Sequence, residues 1–126
     1  MWHLFEGASS FEGNLSNWNV SSVENMEAMF QNTPFNGSIG SWDVSAVSTM
    51  KLMFSDAINL DQDLSNWDVS SVTDFTDMFN NTPQLSDGNK CYIHNSWKSN
   101  SNWSYSDWES ICGYICLLYT SPSPRD

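Results

Sequence analysis

A unit of 24 to 25 residues recurs three times in this chain. Each copy places a valine two positions after a tryptophan, continues through a second valine, and ends on the pair Met-Phe. The copies read LSNWNVSSVENMEAMF from Leu15, IGSWDVSAVSTMKLMF from Ile39 and LSNWDVSSVTDFTDMF from Leu64. A period of this length predicts that no unit buries its apolar face alone and that neighbouring units share one core.

The spacing Leu-x-x-Trp-x-Val has the rhythm of a leucine-rich repeat, in which a short strand turns alternate side chains inward. It predicts an α/β repeat solenoid over residues 1–84, leucine-rich-repeat-like, with one short parallel strand per repeat. We expect Trp18, Trp42 and Trp67 to form one buried column, each followed by an inward-facing valine. The alternative for these tryptophans is an aromatic platform for sugar or ligand rings.

Both ends of the chain differ from a complete repeat. Met1 stands four residues before Phe5, as Met26 does before Phe30, so we expect the chain to begin with a partial unit. At the other end, residues 116–126 depart from the composition of the rest and resemble a translated sequencing adapter. We therefore expect them to be a disordered, artefactual tail.

Residues 85–115 fall outside the repeat and are predicted to form a helical C-terminal cap. A helix is expected to start at Ser86, because serine is a favoured N-cap residue. A second short helix is expected near Ser106 and Glu109, which have the spacing of a capping box before Ile111. Terminal units of repeat proteins are often atypical because they must close the core.

The cysteines of the predicted cap suggest a disulfide. Cys91 and Cys112 lie one on each predicted helix, and a bond between them would close a loop of roughly 20 residues in an oxidising compartment. The alternative is a zinc site using Cys91 and His94, for which the sequence offers no evident fourth ligand.

Charge and composition exclude several function classes. The formal net charge is −11, with only four basic residues, so we expect neither nucleic-acid binding nor attraction to an anionic membrane. No apolar run approaches the roughly 18 residues of a membrane span. Neither histidine has a nucleophile at a recognised motif spacing, so we expect no catalytic residues, no metal and no cofactor.

The same strand register predicts an outward polar face. Asn17, Ser41 and Asn66 would form one row of this face, and Asn19, Asp43 and Asp68 a second. This is the surface on which a leucine-rich-type solenoid usually meets a partner. Two alternatives remain: a solvated face without a ligand, and a calcium ion held between Asp43 and Asp68.

The string Trp-Asp-Val-Ser-Ser-Val-Thr-Asp followed by Met-Phe, from Trp67 to Phe79, resembles the repeat of BspA-like bacterial surface proteins. This resemblance covers residues 1 to about 85 and implies a surface-lipoprotein-type repeat with roles in adhesion. The chain is accordingly expected to be a monomeric extracellular or cell-surface module that binds a host, matrix or cell-surface protein or a glycan. The alternative is a structural spacer without a ligand.

Overall fold

The computed structural model of the protein describes residues 4, 7–8 and 13–118, with side chains up to residue 113. It contains two α-helices, α1 at Asp87–Trp97 and α2 at Trp108–Leu118. Residues 13–86 consist of turns and loops. The three repeats therefore lie before both helices.

The predicted α/β solenoid with one parallel strand per repeat is wrong. Within the part of the chain that the structure describes, there is no strand, and the parallel pairing is limited to two isolated bridges that join Thr49 to Asn25 and to Asp74. The expected strands do not form because the backbone at these positions makes turns with local hydrogen bonds. The Trp18 N–H donates to the Leu15 carbonyl at 3.0 Å, and the same turn recurs in the other two repeats.

The second half of each repeat also departs from an extended backbone. The Met29 N–H donates to the Met26 carbonyl at 3.3 Å, and the turn between them places Ala28 at φ 56°. A positive φ at this position is the requirement of a type II turn. Equivalent left-handed residues occur twice in every repeat, at Ala28, Asn32, Leu52, Asp56, Asp77 and Asn81.

Neighbouring repeats are joined in register by backbone hydrogen bonds between these turns. The N–H groups of Met26, Ala28 and Phe30 donate to carbonyls of the second repeat at 2.9 to 3.1 Å. Met50 and Leu52 donate to the third repeat in the same way, both at 2.9 Å. Because Ala28 and Leu52 have positive φ, the contact between repeats is a series of linked turns instead of a sheet.

The core runs through the repeats and into the cap as one hydrophobic cluster. Trp42 and Trp67 are buried and stack at 6.4 Å, and Trp97 of α1 stacks on Trp67 at 6.2 Å. The prediction of a buried tryptophan column is confirmed for Trp42 and Trp67. It is wrong for Trp18, which is 39% exposed. The valines at 20, 44 and 69 are buried, as predicted.

The cap begins as the sequence predicts. Ser86 is the N-cap of α1, and its hydroxyl oxygen accepts a hydrogen bond from the Asn89 N–H at 3.2 Å. The second helix, α2, begins at Trp108 and continues to Leu118, past residue 116, where the tail was expected to start. Residues 119–126 lie outside the described part of the chain.

The left-handed turns lead to a prediction at Asp77, an exposed residue with φ 53°. Asp77→Val is expected to be less stable than Asp77→Gly by about 1–2 kcal/mol, because a β-branched side chain clashes in the left-handed region. Urea denaturation measures the difference. At the exposed neighbour Thr76, which has no positive φ, the order should reverse, with Thr76→Gly less stable than Thr76→Val by about 0.5–1 kcal/mol. The same order at both positions would contradict the turn.

Candidate functional site

The six residues predicted to face outward are all exposed in the structure. They occupy the positions directly before and directly after the tryptophan of each of the three repeats, namely Asn17, Asn19, Ser41, Asp43, Asn66 and Asp68. We call this set the polar row. Its exposure agrees with the prediction, although turns and not strands hold the residues there.

Three members of the polar row have a structural role in their own turns. The side-chain Oδ1 atoms of Asn19, Asp43 and Asp68 each accept the N–H of the serine two residues later at 3.0 Å. The hydroxyls of Ser21 and Ser45 add second hydrogen bonds at 2.7 and 2.6 Å to Asn19 and Asp43. Asparagine and aspartate commonly stabilise turns in this way.

These hydrogen bonds also stabilise the charged form of the carboxylates in the polar row. The Ser45 hydroxyl and backbone N–H hold the pKa of the Asp43 carboxyl below its usual value. The corresponding groups of Ser70 lower the pKa of Asp68, outweighing the opposing negative charge of Asp43. Because both carboxylates are exposed and their pKa values are lowered, the polar row carries two negative charges at neutral pH.

The same turn recurs outside the polar row. Asn14, Asn25, Asp63 and Asp74 each accept the N–H of the residue two positions later, at 2.8 to 3.0 Å. The recurring pattern of Asn or Asp, one apolar residue, then Ser or Thr (Glu27 in the turn of Asn25) is therefore mainly a turn signal. Sequence reasoning missed this role, although the period of the pattern was visible.

A cavity of about 520 Å³ opens where the third repeat meets the end of α1. Residues 67–70 line one side, and residues 96–97 and 99–102 line the other. Asn100 fixes the two sides together, because its amide nitrogen donates to the carbonyls of Val69 and Val72, both at 2.9 Å. No local sequence signal indicates this cavity, since it depends on how the cap packs against the repeats.

The predicted cap cysteines, Cys91 and Cys112, form a disulfide that joins α1 to α2. Because both sulfur atoms are in this bond, Cys91 is not a thiolate ligand for zinc beside His94. His94 is buried, and its Nδ1 accepts the indole N–H of Trp103 at 3.0 Å. Its Nε2 therefore carries the proton and donates to Glu109 at 2.7 Å. Across the described residues, no three His, Cys, Asp or Glu side chains converge to hold a metal ion.

The hydrogen bond from His94 also acts on its partner carboxylate. Together with the positive charge of Lys98, whose Nζ lies 3.8 Å away, it holds the pKa of the Glu109 carboxyl below its usual value. Glu109 is exposed, whereas His94 and Trp103 are buried. The hydrogen bonds from Trp103 to His94 and from His94 to Glu109 therefore connect buried side chains of the cap to its surface. Because His94 lies on α1 and Glu109 on α2, they also hold the two helices together.

The comparisons with known proteins concern the repeats and most of the cap. The model of a family described as "Mycoplasma protein of unknown function, DUF285" matches residues 1–109. No curated protein and no solved structure matches the chain. Among the described residues, no helix has the length and apolar character needed to cross a membrane. Since the family match takes in all three repeats, helix α1 and the start of α2, the chain belongs to the DUF285 family.

Proposed function

We propose that the chain is a non-catalytic binding module of an extracellular or cell-surface protein, of the BspA-like kind that its repeats resemble. Its partner is a host, matrix or cell-surface protein or a glycan, and its contact surface is the polar row. One observation supports this proposal most strongly: the polar side chains at two equivalent positions of three successive repeats are all exposed, and turn hydrogen bonds hold three of them in fixed positions.

Fixed side chains matter because binding is weakened when flexible groups must be ordered. Asn19, Asp43 and Asp68 are already held by their serine partners, so little conformational freedom remains to be lost. The two carboxylates favour a partner surface with Lys or Arg side chains or with hydroxyl and amide donors. They disfavour a strongly anionic partner for the same reason.

The proposal can be tested by removing the negative charges of Asp43 and Asp68 while keeping the turns that they form. Asn19 already makes the turn hydrogen bonds that Asp43 and Asp68 make, so Asp43→Asn and Asp68→Asn are expected to leave the backbone unchanged. We expect the double variant to bind a partner of the wild-type protein at least about 10-fold more weakly, which corresponds to a loss of about 1.4 kcal/mol in binding free energy. Binding is measured against immobilised extracellular-matrix proteins and glycans.

The matched control is Asp63→Asn, which keeps the same kind of turn with Ser65 outside the polar row. It is expected to leave binding unchanged. Equal binding by the wild-type protein, the control and the double variant would contradict the assignment of the polar row.

The second candidate function is a structural spacer without a ligand. Turn formation alone is enough to explain why Asn or Asp occupies positions 19, 43 and 68, and this favours the spacer. Asn14 and Asp63 make the same turns outside the polar row. A full-length protein that captures no matrix protein or glycan would support the spacer and overturn the binding module.

A further inference from the structure

The pair Asn36–Gly37 is chemically labile, and the packing of the chain explains why it is retained. Asn36 is the only asparagine in the sequence that is followed by glycine. Position 37 has to lack a side chain, because a Cβ atom there would lie 2.6 Å from the buried ring of Phe35. An asparagine before glycine readily loses ammonia, because no side chain shields the backbone nitrogen that follows it. The packing around Phe35 therefore imposes a site of spontaneous modification on the chain.

The modification is an intramolecular reaction that needs only water. The backbone nitrogen of Gly37 attacks Cγ of Asn36, the Cγ–Nδ2 bond breaks, and Nδ2 leaves as ammonia with the proton of the attacking nitrogen. The product is a cyclic succinimide. Water then opens the ring at either carbonyl carbon and yields aspartate or isoaspartate, in which the main chain passes through Cγ. Both products carry a new negative charge, and isoaspartate also lengthens the main chain by a carbon atom.

The second repeat holds Asn36 through both of its oxygen atoms. Oδ1 of Asn36 accepts the Asp61 N–H at 2.8 Å and the side-chain amide of Gln62 at 2.9 Å. The same Gln62 nitrogen also donates to the backbone carbonyl oxygen of Asn36 at 3.2 Å. This shared donor keeps the two oxygens on one side. The Gly37 nitrogen is bonded to the opposite side of that carbonyl carbon, so it is turned away from Cγ.

We infer that Asn36 is a deamidation site controlled by the contact between the first two repeats. While Asp61 and Gln62 hold the side chain, the reaction is slow. When the two repeats separate locally, Asn36 can turn and the Gly37 nitrogen reaches Cγ. Such local opening is a normal equilibrium of folded proteins, and Asn36 and Asp61 are both exposed at this edge. The modification therefore accumulates in molecules in which this contact opens.

The contact that isoaspartate breaks belongs to a line of hydrogen bonds that continues into the cap. Oδ1 of Asp61 accepts the Ser86 N–H at 3.0 Å and the side-chain amide of Asn89 at 2.8 Å. Residues 36, 61 and 86 follow one another at intervals of 25 positions, so the line joins equivalent points of successive units. The longer main chain of isoaspartate moves its oxygens away from Asp61 and Gln62. Closing of the repeats does not reverse this change, which makes the opening permanent at this edge.

The experiment follows ammonia loss from the full chain by mass spectrometry during incubation at mildly alkaline pH. Peptide mapping and enzymatic methylation of isoaspartate locate the product. We expect the chain unfolded in guanidinium chloride to react at Asn36 at least about 10-fold faster than the folded protein, because unfolding removes all the hydrogen bonds that hold this side chain. Asn36→Ser identifies the site, since the mass change and the methylation should disappear in that variant.

A variant of Gln62 tests the control within the folded protein. Gln62→Met keeps a side chain of similar length but removes the donor that both oxygens of Asn36 share. It should raise the rate of ammonia loss about 3- to 10-fold, the factor expected for one lost hydrogen bond. The matched control is Gln84→Met, at an exposed glutamine outside this contact, and it should leave the rate unchanged. Circular dichroism verifies that both variants are folded.

Three results would overturn the inference. The first is an Asn36 that stays intact in the unfolded chain, and the second is an equal rate in the folded and unfolded wild-type protein. The third is a folded Gln62→Met variant that reacts no faster than the wild-type protein. The inference goes beyond the proposed function and is independent of it, because no residue of the polar row takes part in the contact or in the reaction.

Discussion

Replacing Trp42 with alanine is expected to destabilise the protein by about 3–5 kcal/mol, the range for large-to-small changes of a buried aromatic residue. Trp42 is 4% exposed and stacks on Trp67 at 6.4 Å and on Phe30 at 6.3 Å. Its indole N–H also donates to the Leu15 carbonyl at 3.0 Å. The substitution therefore removes packing on both sides and a hydrogen bond between two repeats.

Urea denaturation followed by circular dichroism measures the free energy of unfolding of this variant. The matched control is Trp18→Ala, the same substitution at the same position of the first repeat. Because Trp18 is 39% exposed, we expect that loss to be about 1–2 kcal/mol, smaller than the loss at Trp42. Equal losses, or a loss below about 1 kcal/mol at Trp42, would contradict the buried column.

Removal of the disulfide is expected to have the second largest effect. Cys91 and Cys112 are 21 positions apart, and the entropy of the loop that their bond closes predicts a stabilisation of about 3 kcal/mol. The bond also joins α1 to α2, whose aromatic side chains complete the core of the third repeat through Trp97 and Trp108. The double variant Cys91→Ala and Cys112→Ala should lose most of this stabilisation.

The measurement compares urea denaturation of the wild-type protein and the double variant, each with and without a reducing agent. The reducing agent should lower the stability of the wild-type protein to that of the variant and should leave the variant unchanged. A wild-type protein that is indifferent to reduction would contradict a stabilising bond between the two helices.

The repeat made the buried side chains predictable but not the backbone that carries them. Around Trp42, burial alternates as a strand requires, with Asp43 exposed and Val44 buried. Yet the Trp42 N–H donates to the Ile39 carbonyl within its own repeat, and the Ser45 N–H donates to Asp43. Periodic hydrophobicity reports which side chains are buried, but it does not reveal which carbonyls the N–H groups use.

The left-handed conformations of Ala28 and Leu52 were unpredictable for a related reason. Glycine and asparagine signal positive φ, but Ala28 and Leu52 adopt it under the constraint of the hydrogen bonds between repeats. The start of α1 was predictable, because Ser86 supplies a local cap. The cavity beside Trp97 was not, since it forms only when the cap packs against residues about 30 positions earlier in the chain.

The central functional proposal is that the polar row is a binding surface. Its most direct test is NMR mapping of the backbone amide signals of the labelled chain during titration with a matrix protein or glycan that the full-length protein captures. We predict that the largest changes occur at Asn19, Asp43, Asp68 and their serine neighbours. Changes confined to other residues, with those signals unmoved by a captured partner, would contradict the proposal.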